Sequence, residues 1–278
     1  MIEYPEVVHL ATQMQETVLE REITGVEIAA DRPKFMFVNE NLNAYPERLV
    51  DTRITSVHPA GMQLICRLDS GQILLIGDLF GRLTYCAADD VLPKKAHAIL
   101  TFEDDARLVV TIQAWGGFQV LTREELSQHP HAGDQGPSPL NDELTLDRFN
   151  DILDNRGDWS RKPIKAFMVH AGNIAGIGNG YLQDILFRAK LNPKRKVPSL
   201  CLEERERLYD AMRETIHQGI AGKGRDTEKD LFGVPGSFIP RMDRRAKGQP
   251  CPNCGTAIEK ISYLGGSCYI CPSCQPNP

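Results

Sequence analysis

No apolar run in this chain approaches the roughly 20 residues that a membrane-spanning helix needs, so a helical membrane anchor is excluded. The opening Met1-Ile-Glu-Tyr-Pro-Glu6 lacks a basic region followed by an apolar stretch, so no secretory leader is expected. Cysteine is scarce, eight in 278 residues, and half of it lies in one C-terminal pattern. With nothing else pointing to secretion, a disulfide framework is a poor reading, and a reducing, cytoplasmic location is expected. Of the other four, Cys66, Cys86, Cys201 and Cys268, most are expected to be small buried hydrophobes. Against these absences, 41% hydrophobic and 25% charged residues describe an ordinary globular chain, long enough for two domains and a small module.

The cysteine pattern is the sharpest signal. Cys251-Pro-Asn-Cys254 and Cys271-Pro-Ser-Cys274 form two knuckles separated by sixteen residues. Four thiolates so spaced converge on one tetrahedral Zn²⁺. Gly255 lets the chain turn back, and Ile258, Ile261, Tyr263, Tyr269 and Ile270 predict a hairpin between the knuckles. A hairpin this small buries no core of its own, so the metal supplies its folding free energy.

The net charge of −5 conceals an asymmetry. Residues 1–160 carry 13 Lys+Arg against 26 Asp+Glu, and residues 161–278 carry 19 against 11. Only the second part is basic, so a polyanionic partner is expected there.

Periodicity divides the chain likewise. Glu6–Ile23 reads as a helix behind Pro5. Short alternating segments follow, at Val26–Ala29, Ile54–Val57, Met62–Leu68, Ile73–Ile76, Leu83–Tyr85, Ala98–Phe102 and Leu108–Ile112, with turns at Asp69-Ser-Gly71 and Glu103-Asp-Asp105. They predict a β-sandwich or barrel under one helix. Ser127–Pro139 is linker-like, and His129 and His131 in it read as solvated. Helices are expected at Leu144–Asn155, Lys162–His170, Gly180–Ala189 and Leu202–Ile220. Between the middle two, Gly172, Gly176 and Gly178 shape a double turn. It is either a tight helical connection or a phosphate nest of backbone N–H groups with Asn179 beside it. Gly222–Gly236 is a polar loop bounded by glycines. The resulting fold class is α+β: 1–126 a two-sheet sandwich with its helix, 127–142 a linker, 143–247 helical, 248–278 a zinc hairpin.

Four stretches, Glu3-Tyr-Pro-Glu-Val7, Ala175–Lys190, Gly248-Gln-Pro-Cys251 and Cys271-Pro-Ser-Cys-Gln275, resemble the formamidopyrimidine-DNA glycosylase/endonuclease VIII family over the whole chain. The resemblance implies an N-terminal helix, a sandwich, a helix–two-turn–helix domain and a zinc finger. It implies base-excision repair of double-stranded, damaged or distorted DNA, with base eversion, glycosidic cleavage and strand scission through a Schiff base. It implies one structural Zn²⁺ on Cys251, Cys254, Cys271 and Cys274, a monomer, and a nucleoid-associated location in a bacterium. Glu3 matches the family's essential acid, and Glu6 its helix-start glutamate. Asn179, Gly176, Gly178 and the basic flank with Arg188 match the DNA-binding half, and the Gly222–Gly236 loop matches the lesion-reading loop.

The departures are equally specific. Ile2 stands where the family has its nucleophilic proline, leaving the Met1 amine as a primary-amine substitute. Met62 replaces a phosphate-binding lysine, Ile76 a histidine, Asp78 a glycine and Leu79 a wedge methionine. Ala114-Trp115 replaces Arg-Phe, and Gly266 the finger arginine. Trp115 offers a stacking wedge or a core residue, and Asp78 a base for water or a plain surface group. Three functions follow: a glycosylase using Met1 or a Glu3-activated water, a non-catalytic DNA-binding module, or a scaffold binding a protein or small ligand through its acidic sandwich.

Overall fold

A computed structural model describes residues 1–39, 41–155, 157–159 and 161–277. It divides into two compact units, Met1–Asp134 with Gly222–Phe238, and Gln135–Ala221 with Ile239–Pro278. The 222–238 loop follows the helical region in sequence yet is built into the sandwich unit.

In the first unit, helix α1 (Tyr4–Thr17) precedes β1 (Glu22–Ile28), β2 (Met36–Phe37), α2 (Tyr45–Leu49), β3 (Thr52–Ala60), β4 (Gln63–Leu68), β5 (Ile73–Gly77), β6 (Gly81–Cys86), β7 (Ala98–Phe102), β8 (Arg107–Ile112), β9 (Gly116–Leu121) and α3 (Arg123–Ser127). The strand order is β2-β9-β5-β4-β3-β1-β7-β8-β6. The β1–β3 joint consists of only Glu22↔Arg53 and Ile23↔Thr52, so the strands fall into two halves. Residues of both halves, among them Leu64, Leu74, Phe118, Leu100 and Val110, share one hydrophobic cluster with the inner face of α1, which is the packing of a sandwich. The helix stops at Thr17, short of the expected Ile23, because Glu20 turns left-handed at φ 60° and β1 begins two residues later. Strands β2 and β9 had no clear alternation in sequence. The first is two residues long, and the second opens on Gly116-Gly117. They pair in parallel, Met36↔Gly116 and Phe37↔Gly117.

In the second unit, α4 (Leu146–Asn155), α5 (Ile164–Met168), α6 (Asn179–Arg188) and α7 (Leu202–Ala221) precede a hairpin of β10 (Glu259–Tyr263) and β11 (Gly266–Ile270). Tyr181 through Phe187 of α6 are all buried, so this helix is the unit's centre rather than an amphipathic cover. Buried Asp184 accepts the backbone N–H groups of Arg241 and Met242 at 2.9 and 2.8 Å, fixing the segment that leads into the finger.

Candidate functional site

The N-terminal carboxylates are positioned by helix α1. Glu3 is its N-cap, and a capping box forms: the Glu3 side chain accepts an N–H of the first turn, while Glu6 accepts the Glu3 N–H at 2.8 Å. Both side chains are buried, Glu3 at 1% and Glu6 at 4% exposure. Their shared partner is Arg225. Its Nε donates to Glu6 Oε1 at 3.0 Å, a terminal nitrogen donates to the Met1 carbonyl at 2.6 Å, and another lies 3.5 Å from Glu3 Oε1. Burial works against the charge on Arg225, but Glu3, Glu6 and Glu228 outweigh it and raise its pKa above the usual arginine value. Gly224 makes this approach feasible. It sits at φ 93°, and a Cβ there would fall 2.8 Å from Glu6 Cγ.

The Met1 amine is paired with Glu228 Oε1 at 3.0 Å. Ile2, at the proline position of the resemblance, is 2% exposed within the sandwich core, and its N–H donates to the Leu79 carbonyl at 3.0 Å. Leu79 is itself fully buried. Asp78 precedes it at φ 46°, a left-handed position that suits the family's glycine and that Asp tolerates. Its carboxylate is 3.8 Å from the His131 ring. His129, expected to be solvated, contacts Gln119 at 3.0 Å instead. Trp115 is 41% exposed and packs on Phe80, which excludes the core alternative.

In the helical unit, Gly176 takes φ 81° in the double turn and Gly178 caps α6 in an extended conformation. The Asn179 amide donates to the Ser267 carbonyl of the hairpin at 3.1 Å. Buried Lys165 donates to the Tyr263 carbonyl at 2.8 Å and lies 3.3 Å from Cys268 Sγ. Gln183 accepts the Tyr269 N–H at 2.6 Å. Helices α5 and α6 therefore hold the hairpin through its backbone. Arg188 is turned onto α7, bonded to Glu214 and Gln218, and only 14% of its side chain is exposed. An added Cβ at Gly266 would make ordinary contacts, 3.4 Å to Lys165 Nζ and 3.7 Å to Asn179, so sterics alone do not restrict that position to glycine.

The four finger sulfurs lie within 4.8 Å of one another. Cys254–Cys271 and Cys251–Cys274 are 3.5 and 3.8 Å apart. Sulfurs at about 2.3 Å from a tetrahedral Zn²⁺ are about 3.8 Å from each other, so the donor set fits that ion. The N–H groups of Asn253 and Cys274 point at Cys251 and Cys271 Sγ, both at 3.4 Å, which favours thiolate. Gln275 bonds Leu191 and Cys271 and anchors the second knuckle to the helical unit.

Sequence reasoning missed Arg225 and Glu228. The only local hint was a run of charged residues in a glycine-bounded loop.

A capped helix with paired glutamates on a sandwich, a glycine double turn feeding a central helix, and a four-cysteine zinc hairpin together define a class, the zinc-finger glycosylases with a helix–two-turn–helix domain. Three family models match accordingly: the Formamidopyrimidine-DNA glycosylase N-terminal domain over 1–113, its H2TH domain over 135–230, and the Zinc finger found in FPG and IleRS over 248–277. The chain is 30% identical to a formamidopyrimidine-DNA glycosylase of Pelotomaculum thermopropionicum over 99% of both chains, and 29% to one of Heliobacterium modesticaldum over 99% and 100%. It superposes on Lactococcus lactis Fpg, solved with N7-benzyl-Fapy-dG DNA, with a TM-score of 0.87 at 22% identity over 99% and 100% of the chains. Thermus thermophilus MutM gives 0.83 at 25% identity over 99% of each. The chain belongs to the formamidopyrimidine-DNA glycosylase family of DNA-repair proteins, and its finger carries one structural Zn²⁺. No helix among the described residues is long and apolar enough to cross a membrane.

Proposed function

We propose that this chain is a monomer that binds double-stranded DNA, damaged or distorted, through its helix–two-turn–helix and finger, and that it does not carry out proline-type Schiff-base chemistry. The surplus of cationic residues in 161–278 and the solved relatives bound to DNA support the binding. The observation that carries the chemical part is the N-terminus. The residue at the proline position is in the core, and the Met1 amine beside it is paired with Glu228. A Schiff base needs a neutral amine approaching a sugar C1′, and an ammonium held by a carboxylate is a poor nucleophile. Glu3 is turned toward the Arg225 guanidinium, 3.5 Å away.

Borohydride trapping on abasic-site DNA tests this reading beside a gel shift on the same oligonucleotide. A shifted complex with no covalent adduct is expected. An adduct abolished by Glu3→Gln would overturn the chemical part and assign the Met1 amine as nucleophile. No shift on abasic, distorted or intact duplex would overturn the binding part.

A further inference from the structure

Two buried nucleophiles that the reading above does not use meet inside the helical unit, between α5 and the finger hairpin. Lys165 of α5 is 4% exposed and Cys268 of β11 is 3% exposed. Lys165 Nζ donates to the Tyr263 carbonyl at 2.8 Å and to Cys268 Sγ at 3.3 Å. A buried lysine is ordinarily paired with a carboxylate. Among the described residues no carboxylate pairs with Lys165, and the Cys268 sulfur is its one side-chain partner.

The pair borders a cavity of about 10 Å³, room for one water-sized molecule, lined also by Asn179, Gln183, Leu186 and Gln275. Asn179 brings to this lining a buried Oδ1 with no hydrogen-bond partner among the described residues. A small molecule carrying O–H groups therefore has an acceptor available beside the thiol. A bulky thiol such as glutathione does not fit.

We propose that Lys165 and Cys268 are a redox modification site, at which hydrogen peroxide drives formation of a covalent S–N bond, a sulfenamide, between α5 and β11. In the first step the thiol and peroxide give a sulfenic acid and water. The sulfur is oxidised by two electrons, and the peroxide O–O bond is reduced. In the second step Lys165 Nζ attacks that sulfur. The S–N bond forms, the S–OH bond breaks, and the hydroxide leaves as water with a proton from the amine. With larger thiols excluded, this amine is the nucleophile that meets the oxidised sulfur. The bond joins residues 103 positions apart and holds the hairpin to α5 independently of Zn²⁺. The inference does not depend on the DNA-binding reading.

Peptide mapping by mass spectrometry tests it, on the full zinc-loaded chain exposed to hydrogen peroxide and digested without reductant. The expected product is a joined pair of peptides, one holding Lys165 and the other Cys268, lighter than their sum by two hydrogen atoms and separated by dithiothreitol. Cys268→Ser is expected to abolish the joined pair. Lys165→Arg keeps a donor beside the sulfur and is expected to leave a sulfenic acid at Cys268 that dimedone labels. Zinc content and urea midpoints of both variants report whether the hairpin stays folded. A second readout is retention of DNA binding after chelation of Zn²⁺, expected for the oxidised parent and lost in oxidised Cys268→Ser. The mapping of the parent decides by itself if a variant fails to fold. Dimedone labelling of Cys268 in the parent with no joined pair overturns the step at Lys165. Oxidation confined to exposed Cys201 or to the finger ligands overturns the access of peroxide to the cavity. A joined pair that survives dithiothreitol overturns the assignment as a sulfenamide.

Discussion

The cysteine finger and the N-terminal carboxylate cluster are both sites that a family resemblance locates, and they have fared differently. The finger keeps all four ligands, each knuckle closed within four residues, and its sulfurs stand at tetrahedral spacing. The carboxylate cluster keeps Glu3 and Glu6, but the cation facing them is Arg225, from a loop 219 residues beyond Glu6. A structural zinc site takes only donors such as thiolate or imidazole converging tetrahedrally on one point, so local spacing fixes its ligands. A carboxylate pair accepts any cation that arrives with good geometry. Its partner is therefore set by the tertiary fold and not by local spacing.

The finger offers the largest effect. Cys271→Ser removes a buried ligand, and the Zn²⁺ contribution to folding of such modules is on the order of 10 kcal/mol. The hairpin is expected to unfold and DNA binding to be lost, with the sandwich unit still folded by circular dichroism and protease resistance. Full zinc content in the purified variant would break the contrast with the carboxylate site.

Arg225→Met comes next. It leaves Glu3 and Glu6 buried without their guanidinium, a change that costs about 3–5 kcal/mol when one partner of a buried pair is removed. Urea midpoints of variant and parent measure this. A deficit below about 1 kcal/mol would mean that Arg225 is not the counter-ion of the pair.

The two regions also differ in how much of them the sequence discloses. The knuckles are local, so spacing alone finds the ligands. The double turn and central helix were legible because glycines and apolar residues lie within one stretch. Arg225 was not. Its contacts with Met1, Glu3 and Glu6 span more than 200 residues and depend on Gly224 adopting a left-handed φ, neither of which leaves a periodic trace. Asn179 was found by position but not by partner, since its bond to the Ser267 carbonyl is set by hairpin docking. Strand β9 was hidden for a third reason: its leading glycines carry no strand preference of their own, whereas β2 and β5 on either side impose the extended form.

Asp184 sharpens the comparison at the smallest scale, because it is a buried carboxylate whose hydrogen bonds go to backbone N–H groups. Burial raises its pKa, opposed by the Arg241 and Met242 N–H bonds and by Arg188 and Arg241. A folded-state pKa above the unfolded value means that the native state binds more protons. The stabilisation this confers is complete below the unfolded value of about 3.9 and is lost as pH rises through the folded value. Asp184→Asn removes that titration and turns an N–H₂ toward one of the two backbone donors, which costs about 1–3 kcal/mol for the unsatisfied group. The deficit of the variant, read from urea midpoints, is therefore expected to be largest near pH 4 and to shrink toward pH 7. A deficit that grows with pH would show that the two N–H bonds outweigh burial. Backbone donors alone would then suffice to hold a buried carboxylate charged.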